Sequence, residues 1–375
     1  MSPHAAHALK HLPSSAEDLF RTEVLAGLSA RPRALSPRWF YDRRGSELFE
    51  AITALPEYYP TRAEYDILLH HAAEIARITG ASRALIELGS GSSVKTPLLL
   101  NALSPSAYVP IDISGEFLHQ SAAALAKRFP ALSIHPVVAD FMHPFTLPAP
   151  VRNLSKVGYF AGSTIGNMTV PVATEFLRAI AHTLGKDAFL LIGIDRIKDA
   201  KRLIAAYDDA QGITARFNLN LIHRINRELQ GTMPVGAFRH VALWNDFEAR
   251  IEMHLEAVRD IEFIVAGESF SIAGRETIHT ENSLKYGPRE ARVLLRAGGW
   301  NPISEWTDPE GLFALVLAAS PSPSAQNVPV QSQLELESCV GKSHTKKVRD
   351  ARDTRLAHSA LEGLSSTGAD CNLRA

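Results

Sequence analysis

The chain has 375 residues, is 46% apolar and carries a formal net charge of −1. It is long enough for one large core or two modest ones, and offers no basic field that would invite nucleic acid. Its two cysteines, Cys339 and Cys371, are too few and too near the end for a disulfide framework or a metal cluster. No run of about 18 apolar residues suits a membrane span, and the start lacks a charged-then-apolar secretion signal, so the cytoplasm is the expected location.

In chain order, residues 63–78 place Tyr65, Leu68, Leu69, Ala72 and Ile75 on one helical stripe. A buried strand at 84–88 runs into Gly89-Ser90-Gly91 and a helix near 95–103. Next come a strand at 108–111 ending in Asp112, a helix at 115–129, and a strand at 134–138 followed by Ala139-Asp140-Phe141. A strand at 157–161, a helix at 171–184 and a strand at 188–194 complete this half. That helix is signalled by Thr169 as a cap, Pro171 in the first turn, helical spacing of Leu177, Ile180, Ala181 and Leu184, and Gly185 at its end. Alternating βα units predict a parallel, doubly wound α/β sheet.

After residue 194 the pattern changes. Residues 199–226 read as helix, and 238–245, 248–258 and 275–280 read as strands. Regular βα character returns at 288–297, 301–307 and 312–319. The intervening stretch of roughly 90 residues is far too long for a connection within the sheet. It is therefore expected to be an inserted α+β lobe: 63–195 and 286–320 would form the main domain, 16–62 and 196–285 the lobe. From Pro321-Ser322-Pro323-Ser324 onward the chain is polar and aperiodic, so 321–375 is expected to be a disordered tail.

The chemistry concentrates at 84–96. The segment reads acid-x-Gly-x-Gly-x-Ser from Glu87 to Ser93, with Val94 where a dinucleotide fingerprint wants its third glycine. Gly89 and Gly91 allow a tight turn and close approach to a ligand, and the amides of the next helix start face it. Glu87, Asp112 and Asp140 then line up at the ends of three successive strands, where the ribose and adenine of a nucleoside cofactor would lie. This pattern resembles motif I of the class I S-adenosylmethionine-dependent methyltransferases, with serine in place of the usual third glycine.

Longer stretches resemble one family over 32–319. YDRRGSELFEAI (41–52), LPEYYPTRAE (55–64), ELGSGSSVKT (87–96), AGSTIGN (161–167), RLIAAYDDAQG (202–212) and IHTENSLKY (278–286) are similar to the L-histidine Nα-methyltransferases of ergothioneine biosynthesis. The resemblance implies a Rossmann-like methyltransferase domain with a substrate-binding lobe, and the trimethylated betaine hercynine as product. It also implies that Asn167 and Tyr207 clamp the α-carboxylate, that Tyr58, Glu281 and Ser283 meet the imidazole, and that Gly162 belongs to the same pocket. Tyr41 would neighbour the reacting amine, with Phe49 and Met253 as apolar walls. Period-2 spacing puts Glu281 and Ser283 on one strand face. For the cofactor, the resemblance points to Glu87, Gly89, Gly91, Lys95 toward the methionine carboxylate, Asp112 on the ribose, and Asp140 with Phe141 by the adenine.

Taken without the resemblance, Asn167 is equally a turn former, Lys95 a solvated lysine, and Phe49 and Met253 core fillers. The expected reaction is in-line displacement on the sulfonium methyl by a neutral amine, with Tyr41 or a water chain receiving the proton and no metal. His7 and His11 have helical ligand spacing, but without a nearby cysteine they read as a frayed, solvated pair. A monomer acting on a small amino acid is expected, without nucleic acid or membrane. Two further readings stand: a relative that adds one methyl or takes another aromatic amino acid, and a non-catalytic protein that binds S-adenosylmethionine as an effector.

Overall fold

Ala84–Leu88 is buried at every position, as is Lys156–Phe160 beside it. Such runs suit a parallel sheet covered on both faces. The computed structural model describes residues 16–320. The expectations for His7, His11, Cys339, Cys371 and 321–375 lie outside the described residues. The main sheet runs in the order Asn301–Thr307, Phe313–Ala319, Phe189–Asp195, Lys156–Phe160, Ala84–Leu88, Ala107–Asp112, Ser133–Ile134. Its inner strands are parallel, and the closing hairpin is antiparallel. The doubly wound α/β sheet expected from the periodicity is present.

Helices cover both faces. Val170–Leu184 and Pro288–Ala297 bring Phe176, Leu177, Leu294 and Leu295 against one, while Tyr59–Thr79 and Thr96–Leu103 bring Ile67, Leu68, Leu99 and Leu100 against the other. Chain order reverses between Ala84–Leu88 and Lys156–Phe160, since each next strand lies on the opposite side. Ligands bind such sheets where the carboxyl ends of the strands diverge at that reversal. Two loops meet there: the glycine turn after Leu88 and residues 161–167 after Phe160.

A second sheet, ordered Arg33–Ala34, Thr277–Leu284, Arg250–Ala257, Phe238–Asn245, belongs to the same compact unit. Phe20, Phe40, Leu48, Phe217, Leu221, Met253, Leu255 and Ile278 share one core between this sheet and helices Ala16–Ser29, Arg43–Thr53 and Ile213–Glu228. Residues from both ends of the described chain thus build one hydrophobic cluster.

Three local expectations need correction. The strand at 134–138 is two short pieces, Ser133–Ile134 and Val137–Val138, because Pro136 between them has no N–H to give the ladder. The helical stretch 199–226 is two helices, Ala200–Tyr207 and Ile213–Glu228, parted at Gly212 (φ 64°). Asp209 starts the second by accepting from the amides of Ile213 and Thr214 at 3.0 and 2.7 Å. Thr169 occupies the cap position of its helix, but its hydroxyl makes no capping bond.

Candidate active site

The glycine turn is held from below and from the side. Gly89 has φ 70° and Gly91 φ 49°, and the amides of Gly89 and Ser90 donate to Ile111 at 2.8 and 3.2 Å. A Cβ on Gly89 would lie 3.3 Å from the Phe141 ring, so a bare backbone leaves the cradle between them open. Asp112 faces the turn, its two carboxyl oxygens accepting from the amides of Gly91 (3.0 Å) and Ser114 (2.9 Å). Burial raises its pKa despite these bonds, and each oxygen keeps a lone pair for a ribose hydroxyl. Asp140 accepts from the amide of Met142 (2.9 Å) and pairs with His143 (2.9 Å) and Arg38 (3.2 Å). These groups fit an adenosine: acceptors for hydroxyls and amine, and an aromatic wall.

Two cofactor candidates sit differently. Glu87 is buried beneath the turn, where it accepts from Tyr108 (2.6 Å) and Thr96 (2.8 Å) and burial pushes its pKa up to about 7. It buttresses the loop from inside. The Lys95 ammonium pairs with Glu64, which is fully buried and also accepts from the Gly162 amide (3.0 Å) and the Tyr159 hydroxyl (3.1 Å). Glu64, missed from sequence although it ends the LPEYYPTRAE stretch, joins the helix after the glycine turn to the 161–167 loop.

A cleft enclosing about 530 Å³, mouth included, is lined by Tyr41, Phe49, Tyr58, Gly162, Asn167, Tyr207, Met253, Glu281 and Ser283. All the substrate residues expected from sequence therefore come together. Thr164, Thr214 and Phe217 also line it and were not foreseen. The strand Thr277–Leu284 pairs Glu281 with Met253 and Ser283 with Ile251, after a bulge between His279 and Glu281. That irregularity turns Glu281 and Ser283 inward together, while Thr280 donates to the Met253 carbonyl at 3.0 Å.

Inside the cleft the polar groups are already paired. The Asn167 amide donates to Glu281 at 2.9 Å, and the hydroxyls of Tyr207 and Ser283 lie 2.6 Å apart. Burial lifts Glu281 to about 7, against the opposing effects of the Lys285 charge and the Asn167 bond. Tyr41 and Tyr58 are both raised by burial, with the Glu281 charge adding to each, so their phenols stay neutral. Ring centroids of Tyr41, Phe49 and Phe217 are 5.7 to 6.0 Å apart, forming an aromatic wall along the cleft.

A doubly wound sheet closed by an antiparallel hairpin, with an acidic glycine turn at the switch point and a polar cleft beside it, defines a class I S-adenosylmethionine-dependent methyltransferase. Over residues 20–320 the chain matches the family described as histidine-specific methyltransferase, SAM-dependent, and it belongs to that family. It is 43% identical over 311 residues to the histidine N-alpha-methyltransferase of Mycolicibacterium smegmatis, covering 81% of this chain and 96% of that protein. Identity to the protein of the same name from Mycobacterium tuberculosis is 44% over 318 residues, covering 82% and 98%. Ergothioneine biosynthesis protein 1 of Neurospora crassa is 34% identical over 285 residues, covering 74% of this chain and 32% of that longer protein. Among the described residues, no helix is long and apolar enough to cross a membrane.

Proposed function

We propose that this chain methylates the α-amino nitrogen of L-histidine, through to the trimethylated betaine hercynine, in ergothioneine biosynthesis. One observation carries the reading. Asn167 with Glu281, and Tyr207 with Ser283, form two hydrogen-bonded pairs in an aromatic-walled cleft beside the cofactor turn. An amide and a phenol donate to the α-carboxylate, while Glu281 accepts from a ring N–H and Ser283 meets the other nitrogen. Phe49 and Met253 flank the ring, and Tyr58 closes the aromatic side. Such polar partners favour imidazole over indole.

S-adenosylmethionine supplies an electrophilic sulfonium methyl, so this chain mainly provides alignment and a neutral amine, and that chemistry requires no metal. Tyr41 accepts a hydrogen bond from the amine, and Tyr41 or a water chain takes each proton the nitrogen must lose before the next transfer. The aromatic wall stabilises the positive charge that develops on the nitrogen as each methyl arrives, by about 0.5–2 kcal/mol. Gly89, Gly91, Asp112, Asp140 and Phe141 hold the nucleoside, and the two N–H groups of Lys95 beyond Glu64 serve the methionine carboxylate. In this reading 63–195 and 286–320 form the cofactor domain, 16–62 and 196–285 the substrate lobe, and the enzyme is a cytoplasmic monomer.

Mass spectrometry after incubation with S-adenosylmethionine and each of the twenty amino acids tests this. Trimethylated histidine is expected; a monomethyl end point, another amino acid, or no product would select one of the other readings.

Two further outcomes follow from the geometry. Asp112→Ala should weaken S-adenosylmethionine binding about 10- to 100-fold, because a charge-assisted acceptor worth about 1.5–3 kcal/mol is lost and the Gly91 and Ser114 amides lose their anchor. Unchanged affinity in calorimetry would remove Asp112 from the site.

The second outcome concerns pH. Glu281 has its pKa raised to about 7, so it is protonated below that value and becomes a full acceptor only above it. Histidine kcat/KM should therefore rise through pH 7 in the wild type, beyond the rise shown by Glu281→Gln, which shares the substrate's own ionisations. Parallel profiles would show that Glu281 does not titrate in the working site.

A further inference from the structure

Lys285 is fully buried and is not among the residues lining the cleft. Its ammonium lies 2.7 Å from Asp195 Oδ2, 2.7 Å from Ser283 Oγ and 3.0 Å from the Tyr207 hydroxyl oxygen. An ammonium has three N–H donors and no acceptor, so these contacts use all of them. Both hydroxyl oxygens therefore accept from Lys285. They also lie 2.6 Å from one another, a gap that holds one hydrogen. Two hydroxyl hydrogens exist and only one fits between them. The other has the cleft in front of it, since both side chains line that space.

Charge points the same way. Asp195 also accepts from the Tyr59 hydroxyl (2.8 Å) and pairs with Lys198, so two lysines share one buried carboxylate. The Lys285 ammonium stands directly behind the hydroxyl pair, 2.7 and 3.0 Å from its two oxygens. It favours an anionic group in front and disfavours a cationic one.

We propose that Lys285 is a positioning residue that makes the Tyr207–Ser283 pair an obligate donor, with Ser283 donating to Tyr207 and Tyr207 presenting its O–H to the substrate's carboxylate. Without the ammonium, both hydroxyls are free to rotate and to show the cleft a lone pair, which repels a carboxylate. This inference rests on the amino-acid reading above, and makes a residue outside the cleft a determinant of the requirement for a carboxylate.

Calorimetry with S-adenosylhomocysteine bound, titrating L-histidine and histamine, tests it. Histamine keeps the ring and the amine but lacks the carboxylate. The proteins are wild type, Lys285→Met, and the double variant Lys285→Met with Asp195→Asn, which removes both opposite charges and leaves no carboxylate short of a partner. Both variants should lose histidine affinity about 10- to 100-fold, the range for a bond to a charged group, with histamine and S-adenosylhomocysteine affinities near wild type. Variants that keep the wild-type histidine-to-histamine ratio, or lose both ligands equally, would overturn the assignment. A wild type that binds the two alike would instead overturn the carboxylate clamp on which it rests.

Discussion

Glu281→Ala is expected to raise the KM for histidine roughly 30- to 150-fold, with S-adenosylmethionine affinity near wild type. The carboxylate is buried, and its bond to a ring N–H is charge-assisted, so its loss costs about 2–3 kcal/mol. Part of the loss has another origin: the Asn167 amide, 2.9 Å away, also loses its acceptor. That part falls on every amino acid, because Asn167 is the proposed carboxylate ligand. The excess for histidine over tryptophan and tyrosine isolates ring recognition. A large apolar residue at this position should widen the excess, since the ring N–H would then be buried unpaired. Comparing kcat/KM for the three amino acids decides the matter, and equal losses would assign Glu281 to holding Asn167 alone.

Gly166→Ala should be nearly as damaging, although Gly166 carries no chemistry. Its loop crosses the strand Thr277–Leu284 so closely that a Cβ would lie 2.7 Å from the Leu284 carbonyl oxygen and 3.1 Å from its amide nitrogen. Both are backbone atoms in a paired strand, so no flexible side chain can give way. Overpacking of this kind costs about 1–3 kcal/mol. The displacement falls between Asn167 on one side and Glu281 with Ser283 on the other, and a shift of about 1 Å in such a constellation can cost about 100-fold in rate. A lower melting temperature together with a higher histidine KM is expected. Wild-type values of both would show that the two backbones tolerate a methyl group between them.

The βα half was legible because its strands are mostly apolar and its helices keep strict spacing. The lobe was less so. The hairpin Ile261–Val265 with Glu268–Ile272 went unnoticed, although Ile261, Phe263 and Val265 alternate inward and Ala266-Gly267, both at positive φ, make its turn. At the site, the resemblance named the cleft residues, and strand period oriented Glu281 and Ser283 correctly. It left the partnerships invisible. Asn167 meets Glu281 across 114 positions, and Tyr59 meets Asp195 across 136, contacts that only tertiary folding creates. Lys285 in ENSLKY reads as an ordinary surface lysine until Asp195 is placed against it.

The pairing of Arg33–Ala34 with Thr277–Leu284 bears on how the protein is made. Arg33 bonds to Glu276, 243 positions later, and its segment aligns beside the strand that carries Glu281 and Ser283. On the ribosome, Phe20, Phe40 and Leu48 emerge long before Met253, Leu255 and Ile278, with which they share a core. The parallel sheet at 84–195 can assemble in the meantime, leaving the earlier segment with its apolar side chains unsatisfied until the lobe strands arrive. Contacts of such wide separation form slowly and expose surface that associates. Chains stalled or cut before residue 319 should therefore be the aggregating species in the cell, since Phe189–Asp195 also lacks its neighbour Phe313–Ala319 until then.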